Sequence, residues 1–252
     1  MYRDHTEPEY DMCVDELMRY SIGKGFRFSK PRVTCTDPER GRHLVVSKHF
    51  FGDYLLFIDS AQVFPPDTLC RLAAHDKDIV AALVVGKQPP HLVVAAYGNE
   101  NEGFRSLLDW PNAALLNVDV TGFGCILIKR KVFEEFPEGN AFLKIFSGSI
   151  NDNLGEDWSF CIRARKLGFN IYVDTSIPIG HIGKYIYTTG DYELYKDHAV
   201  ELSKNQKFYD EAMNPKVVKR LAMQPAKSRM LWTPGSEKIV QPQNGLAPIV
   251  RR

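Results

Sequence analysis

An aspartate stands directly after a strongly apolar run in the first quarter of the chain. Tyr54–Ile58 supplies five consecutive apolar or aromatic residues, and Asp59 and Ser60 follow it. A short apolar run bounded by turn-forming residues predicts a strand that is buried on both faces. Open α/β sheets bind ligands beyond the carboxyl ends of their strands. Asp59 is therefore a candidate for binding a ligand, with Ser60 beside it.

Further along the chain, glycines and acids occupy positions where chemistry is also possible. Gly122 and Gly124 lie between two apolar runs. Glycines there would let the backbone approach a ligand closely, or they form a simple tight turn. Glu156 and Asp157 stand at the start of a predicted helix, where acids also complement the helix dipole and cap free N–H groups. Both interpretations remain open from the residues alone.

One histidine, His181, lies in a Gly-His-Ile-Gly segment that follows a short predicted strand ending at Asp174. A lone histidine is more often a structural residue than a ligand. The flanking glycines and the position after a strand favour a ligand-binding role for His181.

These segments, in this order, resemble the family 2-type glycosyltransferases of the GT-A fold, especially the short bacterial and phage-type members. The resemblance covers residues 40–187 and is carried by residues 57–69, 118–128 and 155–183. Asp-Ser-Ala or Gly-Glu-Asp alone would be weak evidence, so the order and spacing carry it. The resemblance implies an enzyme that moves a hexose from a nucleoside-diphosphate sugar to an acceptor hydroxyl, with inversion at the anomeric carbon.

The resemblance also implies a role for each matched residue. Asp59 would bind the donor ribose or orient a metal–diphosphate unit, and His181 would be a second protein ligand to Mn²⁺ or Mg²⁺. Asp157 would be the base that deprotonates the acceptor, with Glu156 as a second catalytic candidate. The residues that would line the donor are Asp59, Ser60, Arg40, Arg42, Gly122 and Gly124. UDP-glucose is the first donor to consider, and the acceptor would be a glycan, a lipid-linked sugar or a nucleic acid.

The chain departs from the family pattern at Ala61, where the resemblance calls for a metal-binding carboxylate. Ser60 and Gln62 offer only neutral oxygens. Three explanations compete: an inactivating substitution, a mechanism that uses basic residues without a metal, or a binding protein without turnover. The amino terminus also departs, because only residues 1–5 precede the first predicted helix. The strand that carries nucleobase-binding residues in the family is then absent, truncated or very short, although residues 26–35 could form a strand.

Charge and cysteine content limit the classes of protein that the chain can be. The net charge is only +1, but residues 214–252 hold eight Lys or Arg and one Glu, so that the rest carries about −6. We expect this basic tail to be solvated; it could instead contact an anionic acceptor, a membrane surface or nucleic acid. The five cysteines form no Cys-x-x-Cys pair, and no long apolar run or signal peptide is visible, which predicts a cytoplasmic protein.

The alternation of predicted strands and helices must position these residues. It predicts an α/β protein of the GT-A, Rossmann-like type, with a mostly parallel sheet flanked by helices. We expect residues 1–190 to form the glycosyltransferase-like domain and residues 191–252 to form a helix and a basic, proline-punctuated tail. Two alternatives remain: a GT-A-like protein that binds a sugar nucleotide or glycan without turnover, and an enzyme that glycosylates a modified base in nucleic acid.

Overall fold

The computed structural model describes residues 6–31, 33, 37–99, 102–137, 141–145, 154–183 and 186–203. It contains helices and strands in alternation. The helices are α1 (Pro8–Gly23), α2 (Pro38–His49), α3 (Thr68–Ala74), α4 (Arg130–Glu134), α5 (Glu156–Lys166) and α6 (Thr189–Ser203). The strands are β1 (Tyr54–Ile58), β2 (Gln62–Val63), β3 (Ile79–Ala82), β4 (Ala95–Asn99), β5 (Gly103–Ser106), β6 (Leu115–Val118), β7 (Val120–Thr121), β8 (Cys125–Lys129), β9 (Ile171–Asp174), β10 (Gly180–Ile182) and β11 (Ile186–Tyr187).

The α/β class is confirmed, because a central five-stranded sheet is flanked by helices. Its strand order is β1-β8-β3-β9-β6. The prediction of a mostly parallel sheet is wrong for the described strands, because only β3 and β9 form a parallel pair. β1, β3 and β9 do share one direction. However, β8 lies between β1 and β3 and runs opposite to both, and β6 runs opposite to β9 at the far edge.

The apolar core is divided between the two faces of this sheet, because alternate residues of a strand point to opposite sides. In β3, Ile79 and Ala81 belong to one buried cluster, and Val80 and Ala82 belong to the other. β8 alternates in the same way and is almost fully buried. Burial on both faces therefore holds for the strands in the middle of the sheet.

β1 differs from the sequence expectation, because its five residues are only partly buried. The physical reason is its place at the edge, where β8 is its only strand partner within the described part of the chain. The expected strand in residues 26–35 is also wrong for its described part, because residues 26–31 and 33 contain no strand. Residues 32 and 34–36 lie outside the described residues.

Two three-stranded sheets lie beside the central sheet and carry parts of the predicted site. One has the order β11-β10-β2, in which His181 is the register partner of Gln62. The other has the order β5-β4-β7. The backbone N–H of Asp59 donates to the carbonyl of Gly124 (3.1 Å), so the end of β1 stays close to the start of β8. The predicted site residues thus converge at one end of the sheet.

The predicted domain boundary at residue 190 falls within α6. Tyr192 of this helix is fully buried in the main core cluster, and its hydroxyl donates to the carbonyl of Leu108 (2.5 Å). The first turns of α6 therefore pack with the preceding residues. The basic tail of residues 214–252 lies outside the described residues. Within the described part of the chain, no helix combines the length and apolar character that crossing a membrane requires.

Candidate active site

Arg42 is the centre of a charged cluster at the end of β1. Asp37 caps α2 by accepting a hydrogen bond from the backbone N–H of Glu39 (3.3 Å), which sets where this helix begins. One turn later, the Arg42 guanidinium donates to Glu156 and lies 3.5 Å from Asp59 Oδ1. Only 14% of the Arg42 side chain is exposed, and the same holds for Glu156. A largely buried cation therefore joins two of the predicted acids.

The Arg42 guanidinium also lies over the aromatic ring of Phe123. Its central carbon lies 4.8 Å from the centre of the Phe123 ring, within the range of a cation–π contact. Arg40, the other predicted basic residue, is exposed. Residues two apart on a helix point in different directions, so Arg40 cannot share the contacts of Arg42. Arg42 therefore belongs to the charged cluster and Arg40 stays outside it, while a donor-binding role for Arg42 stays a prediction.

Asp59 stands in the turn that follows β1. The backbone N–H of Gln62 donates to its carbonyl (3.0 Å), which closes the turn over Ser60 and Ala61. About half of the Asp59 side chain, 51%, is open to solvent, and Ser60 is exposed as well. Nevertheless, protein atoms crowd the carboxylate, and this desolvation raises the pKa of Asp59 above the ordinary aspartate value, although the charge of Arg42 opposes the rise. Asp59 thus combines access to solvent with a perturbed carboxylate.

Asp157 occupies the first turn of α5, and its pKa is also perturbed. Burial and the neighbouring charge of Glu156 raise the pKa of Asp157 from 3.8 to about 6. Its Oδ1 accepts a hydrogen bond from the backbone N–H of Trp158 (2.8 Å), which fixes the side chain at the helix start. A carboxylate whose pKa lies near neutrality is well suited to accept a proton.

Gly122 allows the backbone to pass close to Asp157. A Cβ on Gly122 would lie 2.7 Å from Val94 Cγ1, which would force a shift, and 3.5 Å from Asp157 Oδ2, an ordinary contact. Its N–H donates to the carbonyl of Val94 (2.8 Å). Gly124 is confined in the same way, because a Cβ there would lie 3.1 Å from Val84 and 3.2 Å from Gln62 Nε2. The close approach expected of both glycines therefore involves protein atoms at the site.

Gln62 is a polar residue whose importance the sequence does not reveal. Its side chain is completely buried, and neither end of its amide has a hydrogen-bond partner among the described residues. A buried amide without partners costs about 1–3 kcal/mol, so native structures usually provide one. The Gln62 amide is thus a group that a ligand or a water molecule would satisfy. A glutamine between a turn and a pair of prolines carries no sequence signal for this burial.

His181 lies beside Gln62 on the neighbouring strand. Its Nδ1 donates to the carbonyl of Val85 (2.8 Å), which leaves Nε2 with no partner among the described residues. Burial lowers the pKa of His181 below the ordinary histidine value, and the positive charge of Lys87 lowers it further. The imidazole is therefore neutral at pH 7, with its Nε2 lone pair available. Lys87 is a site residue that the sequence analysis missed, since it stands in a segment that reads only as a loop.

The residues present do not fit a resident divalent cation. The described part of the chain holds no group of three His, Cys, Asp or Glu side chains close enough to bind a metal. Asp59 and Glu156 share the guanidinium of Arg42, and position 61 carries a methyl group that packs against apolar neighbours. His181 Nε2 is a ligand atom without a partner among the described residues, but no group of three ligands forms around it. Mn²⁺ and Mg²⁺ favour several oxygen ligands, which these side chains do not supply together.

A cavity of about 400 Å³ lies at the opposite end of α5 and does not include the predicted residues. It is lined by Gly98, Asn99, Ile162, Arg165, Lys166, Gly168, Phe169 and Asn170. Arg165 is tied to Asp119 (2.6 Å), whose other oxygen accepts from the backbone N–H of Gly98. Through Asp119, these bonds connect Arg165 of α5 to β4, so the charge of Arg165 has a structural role. The chemistry is concentrated at the start of α5.

Comparisons with known proteins place the chain near two solved structures at low similarity. No protein-family model and no curated protein sequence matches it. One similar structure is A197 from STIV, with 18% identity, a TM-score of 0.44, and coverage of 67% of this chain and 78% of that one. Another is GalNAc-T7 with UDP, GalNAc and Mn²⁺, with 13% identity, a TM-score of 0.43, and coverage of 88% of this chain. This chain spans about half, 51%, of the GalNAc-T7 chain. Similarities of this size carry no argument about activity, ligands or partners.

Proposed function

We propose that the protein is a glycosyltransferase that moves a sugar from a nucleoside-diphosphate donor to an acceptor hydroxyl. The observation that carries this proposal is the position of Asp157, a carboxylate with a pKa of about 6 beside the charged cluster of Asp59, Arg42 and Glu156. The ordered resemblance of the sequence segments supports the same reaction. A base poised near neutrality and an adjacent polar surface are what acceptor activation and donor binding require.

Asp157 would take the proton of the acceptor hydroxyl as its oxygen attacks the anomeric carbon. Attack from the face opposite the diphosphate would invert the configuration there. Gly122 keeps the backbone close to Asp157 Oδ2, so that no side chain from this segment comes between the carboxylate and an incoming hydroxyl. Glu156 serves Asp157 indirectly, because its negative charge raises the pKa of Asp157.

Arg42 would hold the carboxylates of Asp59 and Glu156 in place, and it would contribute positive charge to the part of the site that binds the donor. Asp59, half open to solvent, is placed to accept hydrogen bonds from the ribose of the donor. A hexose is the proposed transferred group, and UDP-glucose is the first donor to test. The acceptor would be a glycan, a lipid-linked sugar or a nucleic acid.

The direct test is release of nucleoside diphosphate from UDP-glucose and GDP-mannose, with and without Mn²⁺, by the native chain and by Asp157→Asn. Asp15→Asn, the same chemical change at an exposed position of α1, is the matched control. We expect sugar release or transfer with the native chain and the control, and its loss in Asp157→Asn. If no donor binds to the native chain and none is turned over, the proposal fails.

A binding protein without turnover is the second candidate, and Ala61 is the observation that favours it. Such a protein would bind a sugar nucleotide through the same residues and leave it intact. Binding of UDP-glucose by calorimetry, together with an unchanged donor after prolonged incubation with a range of acceptors, would favour this candidate over the enzyme.

A further inference from the structure

Lys87 lies at the place where the site lacks a cation. It stands two residues after Val85, whose carbonyl accepts the hydrogen bond from His181 Nδ1 (2.8 Å). The backbone N–H of Gly86 donates to the carbonyl of Leu92 (2.9 Å), which closes the loop that carries Lys87. The backbone that leads into Lys87 is thus held close to His181.

The charge of Lys87 reaches the two residues that the resemblance assigns to a metal. It lowers the pKa of His181, and it also opposes the rise in the pKa of Asp59. Independently of these effects, the hydrogen bonds at Val85 and Gly86 hold the backbone segment that leads into Lys87 beside His181. Ala61 lies close to His181 too, because its carbonyl accepts from the N–H of Ile182 (2.7 Å), the residue after His181.

Lys87 is also unlike the lysines that support the fold. Lys129 and Lys131 pair with Asp78, and Lys196 pairs with Asp109. Lys87 is partly buried, and its amino group forms no ion pair with a described residue. A partly buried ammonium without an acidic partner is suited to receive an anion from outside the chain.

We propose that Lys87 supplies the positive charge to the donor diphosphate that a divalent cation would supply in a metal-dependent site. This inference rests on the proposed glycosyltransferase function. In the transfer, the acceptor oxygen forms a bond to the anomeric carbon, and its proton passes to Asp157. The bond between that carbon and the diphosphate oxygen breaks, and its electron pair stays on the leaving nucleoside diphosphate. Lys87 stabilises the negative charge that develops on this leaving group.

A second basic side chain supports this arrangement, because Arg42 adds a cation on the Asp59 side of the site. The Gln62 amide, completely buried with unused N–H donors, lies on the strand paired with His181. Lys87 and Arg42 thus supply positive charge without the need for a carboxylate at position 61. The methyl group of Ala61 then belongs to a site that is organised around basic side chains, which explains why an acid is not needed there.

The test is calorimetric binding of UDP, GDP and inorganic pyrophosphate to protein treated with a chelator, and again with added Mn²⁺. Lys87→Ala and Lys87→Arg are compared with Lys48→Ala, an exposed lysine of α2, as the matched control. We expect the native chain to bind with the chelator present, and Mn²⁺ to change its affinity less than about threefold. Lys87→Ala should weaken binding by about ten- to a hundredfold, the usual effect of losing a charge-assisted hydrogen bond.

The variants separate a charge effect from a loss of folding. Lys87→Arg should keep binding within about tenfold of the native value, because it retains the charge, and Lys48→Ala should leave it unchanged. Binding that requires Mn²⁺ and is indifferent to Lys87→Ala would overturn the inference and leave the glycosyltransferase proposal standing. If none of the three probes binds under either condition, the proposed function itself falls, and the inference falls with it.

Discussion

Asp157 and Asp174 are two enclosed carboxylates whose surroundings move their pKa values in opposite directions. Burial and the charge of Glu156 raise the pKa of Asp157 to about 6, and its Oδ1 accepts from one backbone N–H. Burial also acts on Asp174, which is 3% exposed, but hydrogen bonds from His75 and Ser176 outweigh it and lower the pKa of Asp174. His75 Nε2 donates at 2.8 Å, and the Ser176 N–H and hydroxyl donate at 2.7 and 2.5 Å.

The comparison shows that burial alone does not make an acid reactive. Asp174 has its donors in place, so it is held ionised and serves the fold at the end of β9. Asp157 has acidic neighbours and few donors, so its proton affinity lies near neutral pH. An acid of the second kind is available for proton transfer, and an acid of the first kind is a structural support. The predictions below test whether these two carboxylates differ as described.

The largest effect is expected from Asp157→Asn. We expect kcat for sugar transfer to fall about 10²- to 10⁴-fold, the usual contribution of a general base. The same change should raise the free energy of unfolding at pH 7 by about 1 kcal/mol. A carboxylate whose folded pKa is raised contributes stability at low pH that is lost as the pH rises from about 4 to about 6. Turnover assays and urea unfolding at pH 7 measure both quantities. An active or strongly destabilised variant would show that Asp157 resembles Asp174.

The opposite pattern is expected from Asp174→Asn. Loss of the charged bonds to His75 and Ser176 should lower the free energy of unfolding at pH 7 by about 2–4 kcal/mol. The lowered pKa of Asp174 contributes stability above the unfolded value of about 3.9, and this is lost as the pH falls through the folded pKa. The difference from the native chain should therefore shrink below about pH 4. Urea unfolding at pH 7 and pH 3 measures it, and a variant as stable as the native chain would contradict the structural role.

A smaller effect is expected in the pH dependence of transfer. The acid limb of kcat/KM should lie near pH 6 in the native chain, since Asp157 must be ionised to act as a base. Glu156→Gln should move this limb to lower pH, because the charge of Glu156 raises the pKa of Asp157. Arg42→Gln should move it to higher pH, because the charge of Arg42 lowers that pKa. Shifts of the same sign in both variants would mean that another group controls the limb.

Much of the local structure is predictable from the sequence, because it depends on neighbouring residues. Asp37 is a typical helix-capping residue and caps α2, and Gly168, with a φ of +90°, ends α5 as the glycine after its last turn. The contacts of Arg42 with Asp59 and Glu156 do not follow from such local patterns, because they join α2, the turn after β1 and α5, which are distant in sequence. The order of the strands does not follow, because the insertion of β8 between β1 and β3 depends on contacts distant in sequence.

The positions of Gln62 and Lys87 illustrate the same limit within the site. Their side chains are placed by pairing between β2 and β10 and by the loop that follows β3. Neither residue belongs to a motif with fixed spacing, so no local pattern in the sequence predicts that they lie at the site. From the sequence, Ala61 stands out only because the family pattern has a carboxylate at this position. Its environment explains the methyl group in a positive way, because the residue packs against the apolar cluster on one face of the sheet.

The smallest effect is expected from Ala61→Asp, the change that would restore the acid of the family pattern. The new carboxylate would be only partly solvated beside apolar neighbours, so we expect a loss of stability of about 1 kcal/mol or less. Affinity for Mn²⁺ should rise less than about threefold, because Arg42 already engages Asp59 and Glu156, and the described residues form no group of three ligands to which the new carboxylate could be added. Calorimetric titration with Mn²⁺, with Ala61→Asn as the uncharged control, measures this. A tight Mn²⁺ site created by Ala61→Asp alone would mean that the site lacks a single ligand, and that Lys87 accompanies a metal rather than replacing it.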